Sequence, residues 1–196
     1  SGSLYRVGPN QRFTPRGDYH LFMGDGMVHA FHIKDGKVDY NNRWVRTAKW
    51  KLENREARTL INPMNPFECD PQYSDFVFTD KDGTANTATV WHGGRLLIME
   101  EGHPPYELDP ETLESIGSWN FRGKLSTAMT AHPKVDPETG VMVFVAHIAT
   151  GPVSDCLFYP SAAADELPSL DLGYFRVNKK QKIDNVCRGG RTRRQH

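Results

Sequence analysis

"TATVWHGGRLLIMEE", residues 87–101, reads as two strands joined by the glycine pair Gly93-Gly94. Each arm is rich in β-branched, aromatic and long apolar residues and is too short for an ordinary helix. The two glycines supply the positive φ angles that a tight hairpin needs. The same punctuation recurs along the chain in "MGDG" (23–26), "KDGK" (34–37), "KDGT" (81–84), "LDPET" (108–112) and "VDPETG" (135–140). Between these signals lie further strand-like runs: "MVHAFHI" (27–33), "VDYNNRWV" (38–45), "SIGSWNF" (115–121), "VMVFVAHI" (141–148) and "LGYFRV" (172–177). "AKWKLENREARTL" (48–60) is the helix candidate of note, and its flanks read as poor caps. Strands at this spacing predict an all-β chain, either a sandwich or the blades of a propeller. The segment "DPET" occurs twice, at 109–112 and 136–139, which leans toward repeated hairpins.

Composition narrows the function classes. The 196 residues are 38% hydrophobic and 11% aromatic, enough for a sizeable core in one or at most two globular units. No stretch approaches the ~20 apolar residues of a membrane-spanning helix, and the first residues lack the pattern of a secretory leader, so a soluble chain is expected. It has no initiator Met and is expected to start in mid-domain. Cysteines 69, 156 and 187 are odd in number, far apart and never in a C-x-x-C arrangement. A reducing, cytoplasmic setting is expected rather than a disulfide framework.

The formal net charge of zero conceals an asymmetry. Residues 176–196 carry eight Lys/Arg against the single acid Asp184, while residues 1–175 carry 16 Lys/Arg against 23 Asp/Glu, a net of −7. A nucleic-acid arm would interleave aromatics for base stacking, and "VCRGGRTRRQH" has none. Residues 179–196 are read as a solvated basic tail, with no nucleic-acid partner.

The chemistry must come from the eight histidines. His29 and His32 are an odd number apart in one strand, so they point to opposite sheet faces and cannot share a metal. His92, at a Gly-Gly turn, and His103, before two prolines, read as surface turn residues. His147 ends a buried strand, and His20 and His196 carry no pattern. His132 differs in context: Pro133 pushes it toward extended backbone, and "TAMTA" before it leaves the ring little bulk to compete with. By spacing alone it is a turn residue or a metal ligand, since no H-E-x-x-H motif is present.

"GSLYRVGPN", "GDGMVHAFHIKDGKV", "RWVRTAKWKLEN", "NTATVWHGGRLLIMEEGHPPYELDPETLES" and "TAHPKVDPETGVMVF" occur in this order between Gly2 and Phe144, within a stretch of resemblance that runs to about Phe158. Together they resemble the N-terminal part of the carotenoid cleavage oxygenases. That resemblance implies a seven-bladed β-propeller of which about three blades lie in residues 1–178. It implies Fe(II) held by four histidines, and oxidative cleavage of a conjugated double bond by O₂ into two carbonyl products. His132 falls on the first iron ligand, and Glu101 on a carboxylate that supports a ligating imidazole. Imidazole suits Fe(II), and four neutral ligands leave the cation's charge for nearby acids to offset. The implied partners are an apolar polyene or stilbene and O₂, with peripheral membrane contact by the full-length protein.

The chain departs from the pattern beyond His132. Where a second iron histidine is expected the sequence reads "NVCRGGRTRRQH" (185–196). The resemblance therefore implies an incomplete iron site, a piece inactive alone, and a last ten or so residues foreign to the fold. The stilbene-cleaving branch grips its phenol with a Lys and a Tyr, at whose positions this chain has Glu100 and Pro63. A carotenoid or apocarotenoid is the leading expectation and a stilbene the second. A non-catalytic binding or regulatory β-module is the reading from another class.

Overall fold

The computed structural model describes residues 1–62, 69–76, 83–125, 127–148 and 155–161. Strands β1 (Gly2–Pro9), β2 (Gly26–Lys34) and β3 (Lys37–Trp44) form one antiparallel sheet in chain order. A second sheet contains β4 (Ala88–His92), β5 (Arg95–Met99), β6 (Tyr106–Leu108) and β7 (Ser115–Ser118), again in chain order. The third centres on β10 (Met142–Ile148), which pairs with β8 (Ala128–Met129), β9 (Lys134–Val135) and β11 (Asp155–Ser161). The expected run "LGYFRV", the basic tail, Pro63 and His196 lie outside the described residues.

Local chemistry sets the hairpins. Asp35 and Gly36 carry φ of 50° and 74° between the paired ends Lys34 and Lys37, and Gly93 and Gly94 carry 56° and 71° between His92 and Arg95. Both are two-residue loops with positive φ at both positions, whose twist matches that of the strands they join. The two "DPET" segments use one device. Asp109 accepts from the Glu111 and Thr112 amides at 3.0 and 2.7 Å, and Asp136 from the Glu138 amide at 2.9 Å. The residue after each segment, Leu113 or Gly140, has φ of 58° or 69° and turns the chain into the next strand. The expected repetition of hairpins is therefore present.

These amide bonds, the Thr112 amide foremost for Asp109 and the Glu138 amide for Asp136, hold both carboxyls below the ordinary carboxylate range. A depressed pKa contributes stability above the unfolded value and loses it as pH falls through the folded one. Melting temperature followed by circular dichroism should decline below about pH 4, and less steeply in Asp136→Asn. An unchanged slope in that variant would remove Asp136 from the account.

The sheets stack face to face in sequence order. Leu96 and Ile98 of β5 join Val28, Ala30, Val45, Tyr106 and Leu108 in the core between the first and second sheets. Met99 points to the other side, toward Met129, Met142 and Phe144 of the third sheet, with Ala88 and Val90 packed beside it. β5 is thus apolar at successive positions because a sheet covers each of its faces. Each such Leu, Ile or Met contributes about 1.5–3 kcal/mol of burial. Gly26 lies where the first two sheets meet. A Cβ there would come 2.7 and 2.9 Å from the Ala85 carbonyl carbon and Thr84 oxygen, so only glycine permits the approach.

Helix α1 runs Ala48–Glu56, shorter than expected, and is well capped. The Thr47 hydroxyl accepts from the Trp50 amide at 3.2 Å, and Ala57 ends the helix in the left-handed region with φ of 53°. That turn sends Leu60 and Ile61 into a third core with Leu52 and Cys69. The Glu53 carboxylate then accepts both of their amides at 2.9 Å. The expectation of poor caps overlooked Thr47 and a C-terminal cap without glycine.

Candidate metal-binding corner

The second and third sheets bring Glu101 and His132 together. Glu101 lies just past the end of β5, and His132 follows β8 through Thr130 and Ala131. β8 is placed by strand pairing of Ala128 and Met129 with β10, and the Thr130 amide donates to Val145 at 2.9 Å. From that end His132 Nε2 lies 3.4 Å from Glu101 Oε1. The Thr130 hydroxyl stands between them, donating to Glu101 Oε1 at 3.5 Å and accepting from the His132 amide at 3.2 Å. The side chains of His132 and Glu101 are 67% and 52% exposed, so water screens their mutual attraction strongly. At 3.4 Å the carboxylate acts on the ring chiefly by its charge.

Successive residues of an extended chain point opposite ways, and Glu100 does so here. Its carboxylate turns from His132 and accepts from the buried Thr84 hydroxyl at 3.0 Å. It also pairs with Nδ1 of His103, both side chains being mostly buried. This contact corrects the reading of His103 as a surface residue: the Gly102 turn folds the ring back onto the carboxylate three residues earlier. The spacing E-E-G-H was the available sequence signal for it.

The other histidines divide as follows. His29 and His32 sit on opposite faces as expected, with Nδ1 of His29 2.7 Å from the Tyr40 hydroxyl and Nδ1 of His32 2.8 Å from Ser3 Oγ. His20 caps a 3₁₀ turn by accepting from the Phe22 amide. His92 is buried, 6% exposed, where a surface turn residue was expected. Strand alternation sets it on the face of Ala88 and Val90, toward the third sheet, and that overrides its neighbouring glycines. The backbone of His147 belongs to β10, and its side chain lies outside those described.

Among the described residues no group of three or more His, Cys, Asp or Glu side chains converges as a metal cage. One imidazole and one carboxylate meet at Glu101 and His132, a donor set that suits a corner of an Fe(II) centre and not a whole one.

Residues 1–184 match the family of retinal pigment epithelial membrane protein, the carotenoid cleavage oxygenases. The chain belongs to this family. Among its relatives, isoeugenol monooxygenase of Pseudomonas nitroreducens is 38% identical over 93% of this chain and 35% of its own length. Resveratrol cleavage oxygenase 1 of Chaetomium globosum is 41% identical over 95% of this chain and 29% of its own length. Carotenoid cleavage oxygenase 1 of Neurospora crassa is 39% identical over 84% of this chain and 31% of its own length. The chain thus spans about a third of the length of the curated relatives it matches.

Solved structures agree on the fold. Pseudomonas brassicacearum lignostilbene dioxygenase superposes with a TM-score of 0.76 at 34% identity, over 86% of this chain and 35% of that one. A cobalt-substituted apocarotenoid oxygenase from Synechocystis gives 0.73 at 27%, over 89% and 39%. The mostly antiparallel β architecture of this chain is the one carotenoid oxygenases share over the matched length.

Proposed function

We propose that this chain contributes one imidazole and one charged carboxylate to the Fe(II) centre of an oxygenase that splits a conjugated C=C bond with O₂ into two carbonyl products. The convergence of His132 and Glu101 from two different sheets carries the reading. In it His132 gives a ring lone pair to the metal, and Glu101 offsets the cation's charge. Thr130 pins both by bonding to each. When bound, the ferrous ion supplies the activation of O₂. Rigid strand ends give this corner its placement, and residues 1–178 serve as about three propeller blades. With one imidazole at the corner, residues 1–196 expressed alone do not turn over.

For the substrate we take a phenyl-substituted alkene of the stilbene or phenylpropenoid kind. Relatives named for isoeugenol and resveratrol cover 93% and 95% of the chain, which favours it. An apocarotenoid is the second reading, favoured by an acid, Glu100, where the stilbene branch is expected to place a phenol-gripping lysine. We place the protein in the cytoplasm, in keeping with its scattered cysteines.

The test uses the native gene product carrying these residues, loaded anaerobically with Fe(II). It is offered isoeugenol, a hydroxystilbene and an apocarotenal under ¹⁸O₂, and products are read by mass spectrometry. Labelled aldehyde from either aryl alkene supports the leading reading, and from the apocarotenal alone the second. No labelled product from any of the three would overturn the oxygenase reading.

A further inference from the structure

We propose that Glu100 and His103 form a positioning clamp that fixes the aim of Glu101 at His132; the inference rests on the reading of that pair as a metal corner. The four residues Glu100–Glu101–Gly102–His103 form a sharp excursion between β5 and β6. Its first and last side chains grip each other, the carboxylate of Glu100 meeting Nδ1 of His103. The loop is thereby closed on the side opposite Glu101.

Three further contacts anchor the closed loop. Thr84, itself buried, donates its hydroxyl to the second oxygen of Glu100 at 3.0 Å. Its carbonyl accepts from the Gly26 amide at 2.9 Å, which ties the clamp to the first sheet. The His103 carbonyl accepts from the Met129 amide at 3.3 Å, one residue before Thr130 and three before His132. The clamp is therefore linked to both ends of the Glu101–His132 contact: to the carboxylate through the loop and to the imidazole through β8.

Gly83 closes the pocket around it. A Cβ at Gly83 would fall onto Glu100 Oε1 and His103 Nδ1, so a side chain there would push the two paired ends out of place. Two adjacent carboxylates must also be kept apart, and engaging Glu100 with a hydroxyl and an imidazole holds its charge away from Glu101. Glu100 and His103 act on the corner through the loop and β8, and both are positioning residues.

The test is made by NMR on the metal-free native gene product that carries these residues. It reads the cross-relaxation peak between the Glu101 γ-protons and the His132 ring, with Met99–Phe144 peaks as a core reference. His103→Ala is expected to weaken the Glu101–His132 peak at least fivefold while the core peaks stand. Gly83→Ala should do the same from the other wall of the pocket. His103→Asn, whose amide can donate in place of Nδ1–H, should restore at least half of it. A peak within twofold of wild type in both His103→Ala and Gly83→Ala would overturn the clamp. So would loss of the core peaks in step with it, since the residues would then be merely structural. Added Co(II) forms a separate arm: if it leaves the His132 signals unbroadened, the metal reading falls while the clamp stands or falls on the first result.

Discussion

Lys49→Ala is expected to lower the unfolding free energy by about 3–5 kcal/mol. The Lys49 ammonium donates to Asp25 Oδ1 and Glu53 Oε2, each at 2.8 Å, and all three side chains are at most 5% exposed. Removing the cation leaves two carboxylates facing each other away from water. Neither can rotate out without loss, because Asp25 Oδ2 accepts the Arg12 amide and Glu53 Oε1 the Leu60 and Ile61 amides. The network thereby joins the N-terminal loop, the start of β2, helix α1 and the third core. Equilibrium urea unfolding checks the value; a loss under about 1 kcal/mol would show the ion network to be peripheral. Replacing all three groups together, as Lys49→Met with Asp25→Asn and Glu53→Gln, should recover at least half the loss, because no unpaired charge is then buried.

The same network predicts a pH dependence. Burial is the largest single influence on Lys49 and pulls its pKa down, but Asp25 and Glu53 together outweigh it, so the pKa lies above the ordinary 10.5. A raised pKa contributes stability that is fully present below the unfolded value and is lost as pH rises through the folded one. Wild type and Lys49→Ala should therefore differ fully at neutral pH and converge only in strongly alkaline solution.

His132→Ala has the larger functional consequence. The side chain is 67% exposed and its ring supports no core, so stability should move by less than about 0.5 kcal/mol. Fe(II) retained after anaerobic loading of the native gene product, and its oxygenase turnover, should each fall by more than about 100-fold. Glu101→Gln, which keeps the shape and removes the charge, should cost about 10–100-fold in the same assays. The graded pair matters, because a ligand and a charge neighbour fail differently. Values for His132→Ala within about twofold of wild type would remove it from the metal site.

Much of this was legible in the chain. Hairpin loops at Asp35-Gly36 and Gly93-Gly94 and the paired "DPET" turns follow from local steric rules, which residues obey whatever packs on them. β1 was missed because "GSLYRVGP" alternates weakly and carries glycines and a terminal proline; its pairing with β2 holds it. β6, β8 and β9 are two or three residues long and exist only as partners of longer strands. The Thr47 cap lies outside the helix's apolar pattern, in a single hydroxyl just before its first turn.

The histidines divide along the same line. Opposite faces for His29 and His32 follow from a period of two and needed no partner. His92 and His103 were misplaced because turn residues nearby indicate a bend in the chain and nothing about what covers a ring. By itself the sequence determined the family, the strand-and-turn order and His132 and Glu101 as candidates, since these rest on local pattern and ordered motifs. Only the tertiary structure decided that Glu101 faces His132 while Glu100 turns to His103, and that Lys49 is buried between two acids. Glu101 with His132 and Lys49 with Asp25 are contacts between segments remote in sequence, and the local pairs Glu100–His103 and Lys49–Glu53 take their burial from how three sheets and one helix pack around them.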